Sequence, residues 1–219
     1  MNLFGLFLTI ILFVIFKRFN LKIPIIISVG VFIILILKIF NIDYSTYNES
    51  ASILSFLIAP ATIALAYPMY KNYHILLENK RALYFSLILA TIVAIISTYF
   101  CAKIFGTDFR VIMSMLPKST TMPIALEISK AIDGYSEITA VVVALTGVFG
   151  GVFGHKILKF LKVKNDVSIG LALGSASHII GTSACAERKK DRQTASSTIA
   201  LIIVGILSAI IIPLLKNYY

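Results

Sequence analysis

"LPKSTTMPIALEISKAIDG", Leu116 to Gly134, is the stretch on which the fold turns. Pro117 and Pro123 bracket Lys118 and three hydroxyls, Ser119, Thr120 and Thr121, in a chain otherwise apolar enough to lie in lipid. A helix cannot run smoothly through either proline, because each removes a backbone donor and its ring clashes with the preceding turn. In a bilayer the freed backbone groups have no water, so such a break is tolerated only when buried in protein or lining a wet cavity. Pro123 suits the first turn of a new helix, with Thr120 or Thr121 near its cap and Asp133-Gly134 as its stop. The start of that half-helix presents unpaired N–H groups and the positive end of a dipole, an arrangement that holds anions. Lys118, Ser119, Thr120, Thr121 and Pro123 are therefore candidate residues for binding a carboxylate or similar small anion. The plainer alternative is a snorkelling Lys118 beside an ordinary loop.

The rest of the 219-residue chain sets the context: 58% of it is hydrophobic, 14% charged, and its mean hydropathy is +0.93. Soluble domains carry about 25% charged residues, so the composition indicates an all-α polytopic membrane protein forming a single membrane domain over residues 1–219. Apolar segments run at about 2–16, 23–40, 52–70, 82–105, 137–158 and 194–215, with unusual ones at 111–133 and 168–186. Together they predict about seven transmembrane segments plus broken or re-entrant helices. The net charge of +10 sits in short loops, where Lys and Arg fix orientation, and gives no reason to invoke nucleic acid. The N-terminal stretch reads as a first span followed by Lys17-Arg18, not as a removable leader. Cys101 and Cys185 are too far apart and too few for a disulfide framework, and with three scattered histidines they support no metal site.

"GLALGSASHIIGTSACAE", residues 170–187, is the second unusual segment. Gly170, Gly174 and Gly181 fit close helix packing. His178 is ionisable in mid-segment, and such a group faces a cavity or partner, serves a proton path, or is a satisfied core histidine. The basic run at 187–192 would lie outside after a full crossing, but returns to the cytoplasm if 168–186 re-enters. With 111–133 entering from the other face, the pair would match transporter sites built on inverted repeats. "APATIALAYP", residues 59–68, is a third break or a simple kink, with Pro60, Thr62 and Pro68 shaping it. Glu127 and Lys130 stand three apart and can pair along one helix. "GVFGGVFGHK", residues 147–156, reads as packing. No HExxH or GxSxG constellation and no paired acids within a span argue for catalysis, so the chain is read as a non-enzyme without cofactor.

"LPKSTTMPIALEIS", "GLALGSASHIIGT" followed by Glu187, and "APATIALAYPMY" resemble the LrgB/CidB family of bacterial membrane proteins, in its order and over nearly the whole length. The resemblance implies a multi-pass protein of the bacterial inner membrane with a smaller LrgA/CidA-type, holin-like partner. It also implies either antiholin- or holin-like control of murein hydrolase activity and autolysis, or transport of small carboxylates such as pyruvate or glycolate. A plastidic glycolate/glycerate translocator is a relative, and the family is grouped with the cation–proton antiporter and bile-acid symporter fold. The motif residues carried over are Pro60, Thr62, Pro68, Pro117, Lys118, Ser119, Thr121, Pro123, Glu127, Gly174, Ser177, His178, Gly181, Thr182 and Glu187. Two positions depart from the pattern: Ala184 stands where many relatives have a basic residue, and His155 where proline is common.

Two functions are thus expected from different classes. As a transport protein, Lys118 and the half-helix at Pro123 hold the carboxylate, Thr120, Thr121, Ser177 and Thr182 bond its oxygens, and His178 or Glu127 carries a coupled proton. The short chain would be completed by the LrgA-type partner or a second copy, within membrane lipid. As an interaction protein, it would use its glycine-rich faces, Gly170 and Gly174 among them, to tune a pore-forming partner without a substrate of its own.

Overall fold

The computed structural model describes residues 3–19, 25–57, 60, 63–64, 66–71, 73–78 and 80–216. Every regular element among them is helical, and they divide into two compact units, residues 1–64 and 65–219. In the first unit, α1 (Phe4–Phe19) packs on α2 (Ile25–Ile39) and α3 (Tyr44–Phe56). Phe16, Val29 and Ile33 form its core. Gly5 meets the Tyr47 backbone too closely for any Cβ, and its N–H donates to Ser50 Oγ at 3.0 Å. With 16 residues, α1 is about 24 Å long, short of the roughly 30 Å hydrocarbon core.

The second unit holds α4 (Ala66–Lys71), α5 (Tyr73–Glu78), α6 (Lys80–Ile104), α7 (Phe109–Met115), a 3-10 turn (Leu116–Ser119), α8 (Met122–Ala131), α9 (Ser136–Phe160), α10 (Asp166–Glu187) and α11 (Asp191–Lys216). Among the described residues four helices, α6, α9, α10 and α11, are long and apolar enough to cross a membrane, against the expectation of about seven spans. The segment expected at 52–70 is not one rod: α3 stops at Phe56 and α4 is a separate short helix. Pro60 is exposed, Pro68 lies in α4, and Thr62 falls outside the described residues.

The proline-broken stretch folds back on itself. Arg110 Nε donates to the Asp133 carbonyl at 2.5 Å, and its guanidinium lies 4.2 Å from the Tyr135 ring centre, so the two ends of the element meet. Thr139 Oγ1 of α9 bonds both arms, donating to the Ser114 carbonyl of the ingoing arm at 2.7 Å and lying 2.8 Å from Ser129 Oγ of the returning arm. Ile112, Met113, Leu116, Ile128 and Ile132 seat this hairpin against Ile95 and Ala102 of α6 and Ile212 of α11.

The α10 helix reverses too, although its length and composition alone would let it span. Ser177 (φ −131°, ψ 18°) and His178 (φ 43°, ψ −131°) leave helical geometry. A Cβ placed on Gly181 would strike the Leu173 carbonyl, yet residues eight apart in a straight helix are separated by about 12 Å. The start of α10 returns to the same level as its end: Asp166 Oδ1 accepts from Gln193 Nε2 of α11 at 2.7 Å. At its far end, α11 places Lys216 Nζ 2.6 Å from Asp133 Oδ2. The two reversed elements therefore enter the unit from opposite ends, with α9 and α11 running between those ends.

Candidate functional site

Contacts along α9 give the depth of each tip. Thr139 marks Ser114 and Ser129, while a Cβ at Gly147 would meet the His178 ring and one at Gly150 would overlap Ser177 Oγ. Thr120 is six residues beyond Ser114, about 9 Å of helical rise, and Gly147 is eight beyond Thr139, about 12 Å. Both tips thus reach the middle of α9, and the 3-10 turn of the first touches α10.

Polar groups concentrate there. Ser119 is 4% exposed, Thr120 1%, Thr121 2%, Ser177 3%, His178 3% and Thr182 7%, deep burial for side chains that need hydrogen-bond partners. Thr120 Oγ1 donates to the Pro117 carbonyl at 2.9 Å. Thr182 Oγ1 donates to the His178 carbonyl at 3.1 Å and bonds Ser197 Oγ at 2.7 Å. His178 Nε2 lies 3.1 Å from the Val143 carbonyl, which can only accept, so Nε2 carries a proton. Two buried atoms remain without a partner among the described residues: Thr121 Oγ1 and His178 Nδ1, one at each tip. Orphaned buried polar atoms call for an explanation, and an unbound ligand is one.

The backbone adds to this. Thr121 is the N-cap residue of α8, yet its hydroxyl does not cap, and Pro123 sits at the second helical position. The amides of Met122 and Ile124 have no intrahelical acceptor by position. The second arm of α10 likewise begins just after His178, so its first amides also start at the tip. Lys118 is half-buried and makes no ion pair or hydrogen bond among the described residues. Lys118, the Thr121 hydroxyl and the first amides of α8 offer donors at the first tip, and no carboxylate stands beside them among the described residues, a composition suited to a small anion. His178 Nδ1 accepts in the neutral ring and donates in the imidazolium, so it can take up a proton.

Of the expected site residues, Lys118, Ser119, Thr120, Thr121, Pro117 and Pro123 form the first tip, and Ser177, His178, Gly181 and Thr182 the second. Glu127 is not among them; it pairs with Lys130 at 2.7 Å on an exposed face. Gly170 and Gly174 pack against Gln193, Ser196 and Ser197 of α11. The glycine-rich stretch 147–156 does pack, as its sequence suggested, but the sequence reading did not name its partner, the second tip that Gly147 and Gly150 admit, nor Val143 and Ser197, which bond that tip. The spacing of Gly147, Gly150, Gly151 and Gly154 on one helical face was the available signal. A groove of about 520 Å³ lies between α6 and α10, extending from Asn165 and Arg192 to Ala90 and Ser175.

Reversed apolar helices that bury unpaired polar groups at their tips, among described residues whose regular elements are all helical, define a helical membrane protein with a polar centre inside its own core. The chain belongs to the LrgB family: the LrgB-like family matches residues 4–218. It is 38% identical over 177 residues to the "Antiholin-like protein LrgB" of Bacillus subtilis (strain 168), covering 81% of this chain and 76% of that one. It is 32% identical over 200 residues to the "Uncharacterized protein YxaC" of the same organism, covering 91% and 86%. No solved structure matches it.

Proposed function

We propose that the protein is a transporter, or the transport subunit of one, for small carboxylates such as pyruvate or glycolate in the bacterial inner membrane. One observation carries this reading: the two buried polar atoms without partners, Thr121 Oγ1 and His178 Nδ1, stand at the tips of two helices reversed at mid-depth. The carboxylate takes the amides at the start of α8, the Thr121 hydroxyl and Lys118. His178 carries the coupled proton. The two hairpins, entered from opposite ends and both packed on α9, support an inverted-topology repeat, which suits alternating access around a central site. The basic loops at 156–164 and 187–192 favour the cytoplasmic side for the mouth of α10. An LrgA/CidA-type protein or a second copy completes the assembly.

The name of the Bacillus relative favours a second reading, an antiholin-like modulator of murein hydrolase activity and lysis without a substrate. That reading places binding energy on the glycine faces, but Gly147, Gly150, Gly154, Gly170 and Gly174 are already engaged within the chain. Uptake of labelled pyruvate and glycolate into vesicles, with and without the partner, tests the choice. Lys118→Ala and His178→Ala should abolish uptake with insertion unchanged; normal uptake in both would remove the assigned site.

A further inference from the structure

A cavity of about 650 Å³ lies at the opposite end of α9 from Asp133, apart from the hairpin tips. Lys156, Lys159, Lys162, Lys164 and Arg188 line it, and no acidic residue does. None of the five forms an ion pair among the described residues. The nearby carboxylate of Asp166 is already engaged by Gln193 at 2.7 Å and by Lys190 at 3.8 Å. Gln193, only 4% exposed, also meets His155 Nε2 at 3.1 Å, so the cavity rests on a bonded polar base.

One or two lysines here would simply complement the negative end of α9. The orientation of the chain accounts for basic loops at this end, but not for five cations converging on one concavity, and one of the five is held against its backbone preference. Lys162 adopts φ 59° at the position where glycine usually ends a helix, with Val163 N donating to the Leu158 carbonyl at 3.0 Å. The cavity lies at the end of α9, a helix long and apolar enough to cross a membrane, so a bilayer spanned by that helix would bring lipid phosphates to this level. Its volume also falls within the range of small-molecule sites, roughly 300–1,000 Å³.

We propose that this cavity binds a phosphate-bearing anion through Lys156, Lys159, Lys162, Lys164 and Arg188. The phosphate belongs either to the headgroup of an anionic phospholipid or to a soluble phosphate.

The test uses the full chain purified in detergent, with thermal unfolding followed as each probe is added. The probes are phosphatidylglycerol against phosphatidylcholine, and inorganic phosphate against chloride at equal ionic strength. A lipid source is indicated by stabilisation from phosphatidylglycerol alone, a soluble source by stabilisation from inorganic phosphate. The combined variant Lys159→Gln, Lys162→Gly, Arg188→Gln should bind the effective probe about a hundredfold more weakly, at roughly fivefold per cation. Lys162→Gly alone relieves the left-handed position, so ligand-free stability should hold or rise while affinity falls about fivefold; loss of folding cannot then explain the result. Lys103→Gln, at the far end of α6, should bind as wild type. The proposal is overturned if neither probe stabilises the wild type beyond its control, or if Lys103→Gln loses as much affinity as the combined variant.

Discussion

Thr121→Val replaces the orphaned hydroxyl with a methyl of nearly the same size. Thr121 is 2% exposed, and its Oγ1 has no partner among the described residues. The capping geometry does not depend on that hydroxyl, because the Thr121 carbonyl accepts from Ala125 N at 2.8 Å and the side chain makes no cap bond. A desolvated, unpaired hydroxyl costs about 1–3 kcal/mol. The valine variant should recover that amount in the absence of substrate, raising the midpoint of thermal unfolding by about 2–12 °C for a chain of this size. Carboxylate binding should weaken at the same time, since a hydrogen bond to a charged group contributes about 1.5–3 kcal/mol, a factor of roughly 10–100. Thr121→Ser keeps the hydroxyl and should keep uptake. Circular dichroism melts of the purified protein and vesicle uptake read the two halves separately. A valine variant that melts below wild type would mean that the hydroxyl is already satisfied. One that melts higher but transports normally would mean that no ligand uses it.

Gly174→Ala places a Cβ 2.8 Å from Ser197 Cα and against the same residue's carbonyl, so backbone has to move. It should cost about 1–3 kcal/mol in chemical or thermal unfolding, whereas Gly30→Ala, with nothing within 4 Å, should be neutral or slightly stabilising. Asp133 is held below the ordinary carboxylate range, first by the hydrogen bond from Lys216 and then by that ammonium's charge. A depressed folded-state value contributes stability that is present above the unfolded value and lost as pH falls through the folded one. The small difference in melting between wild type and Lys216→Gln should therefore exist at neutral pH and close in acid; a difference that persists at the lowest pH would mean that the pair is not its source. In a Cys101→Ser background, Ser175→Cys should react with a membrane-impermeant thiol reagent from the side bearing Arg192, while buried Cys185 stays unreactive. Labelling only from the other side would reverse the assigned orientation of the groove.

Much of this protein was legible in one dimension. Pro117 and Pro123 forbid a continuous helix whatever surrounds them, and a hydroxyl-rich break in an apolar chain needs burial in protein, so the first tip and its residues could be read directly. His178 stood out because an ionisable ring in an apolar run is costly. The reversal of α10 was different. No proline marks it, its composition permits a straight crossing, and only basic residues at 187–192 hinted that it returns. It is decided by contacts between distant residues: Gly147 and Gly150 leave room on α9 for the turn, and Ser197 and Gln193 of α11 receive its two arms. Glu127 was open to two readings in the sequence, a proton carrier or a partner for Lys130 one turn on, and the folded chain shows the pair, on an exposed face. Local chemistry determines where a chain breaks; which groups those breaks bring together depends on surfaces far away in sequence, and these became visible only in the folded molecule.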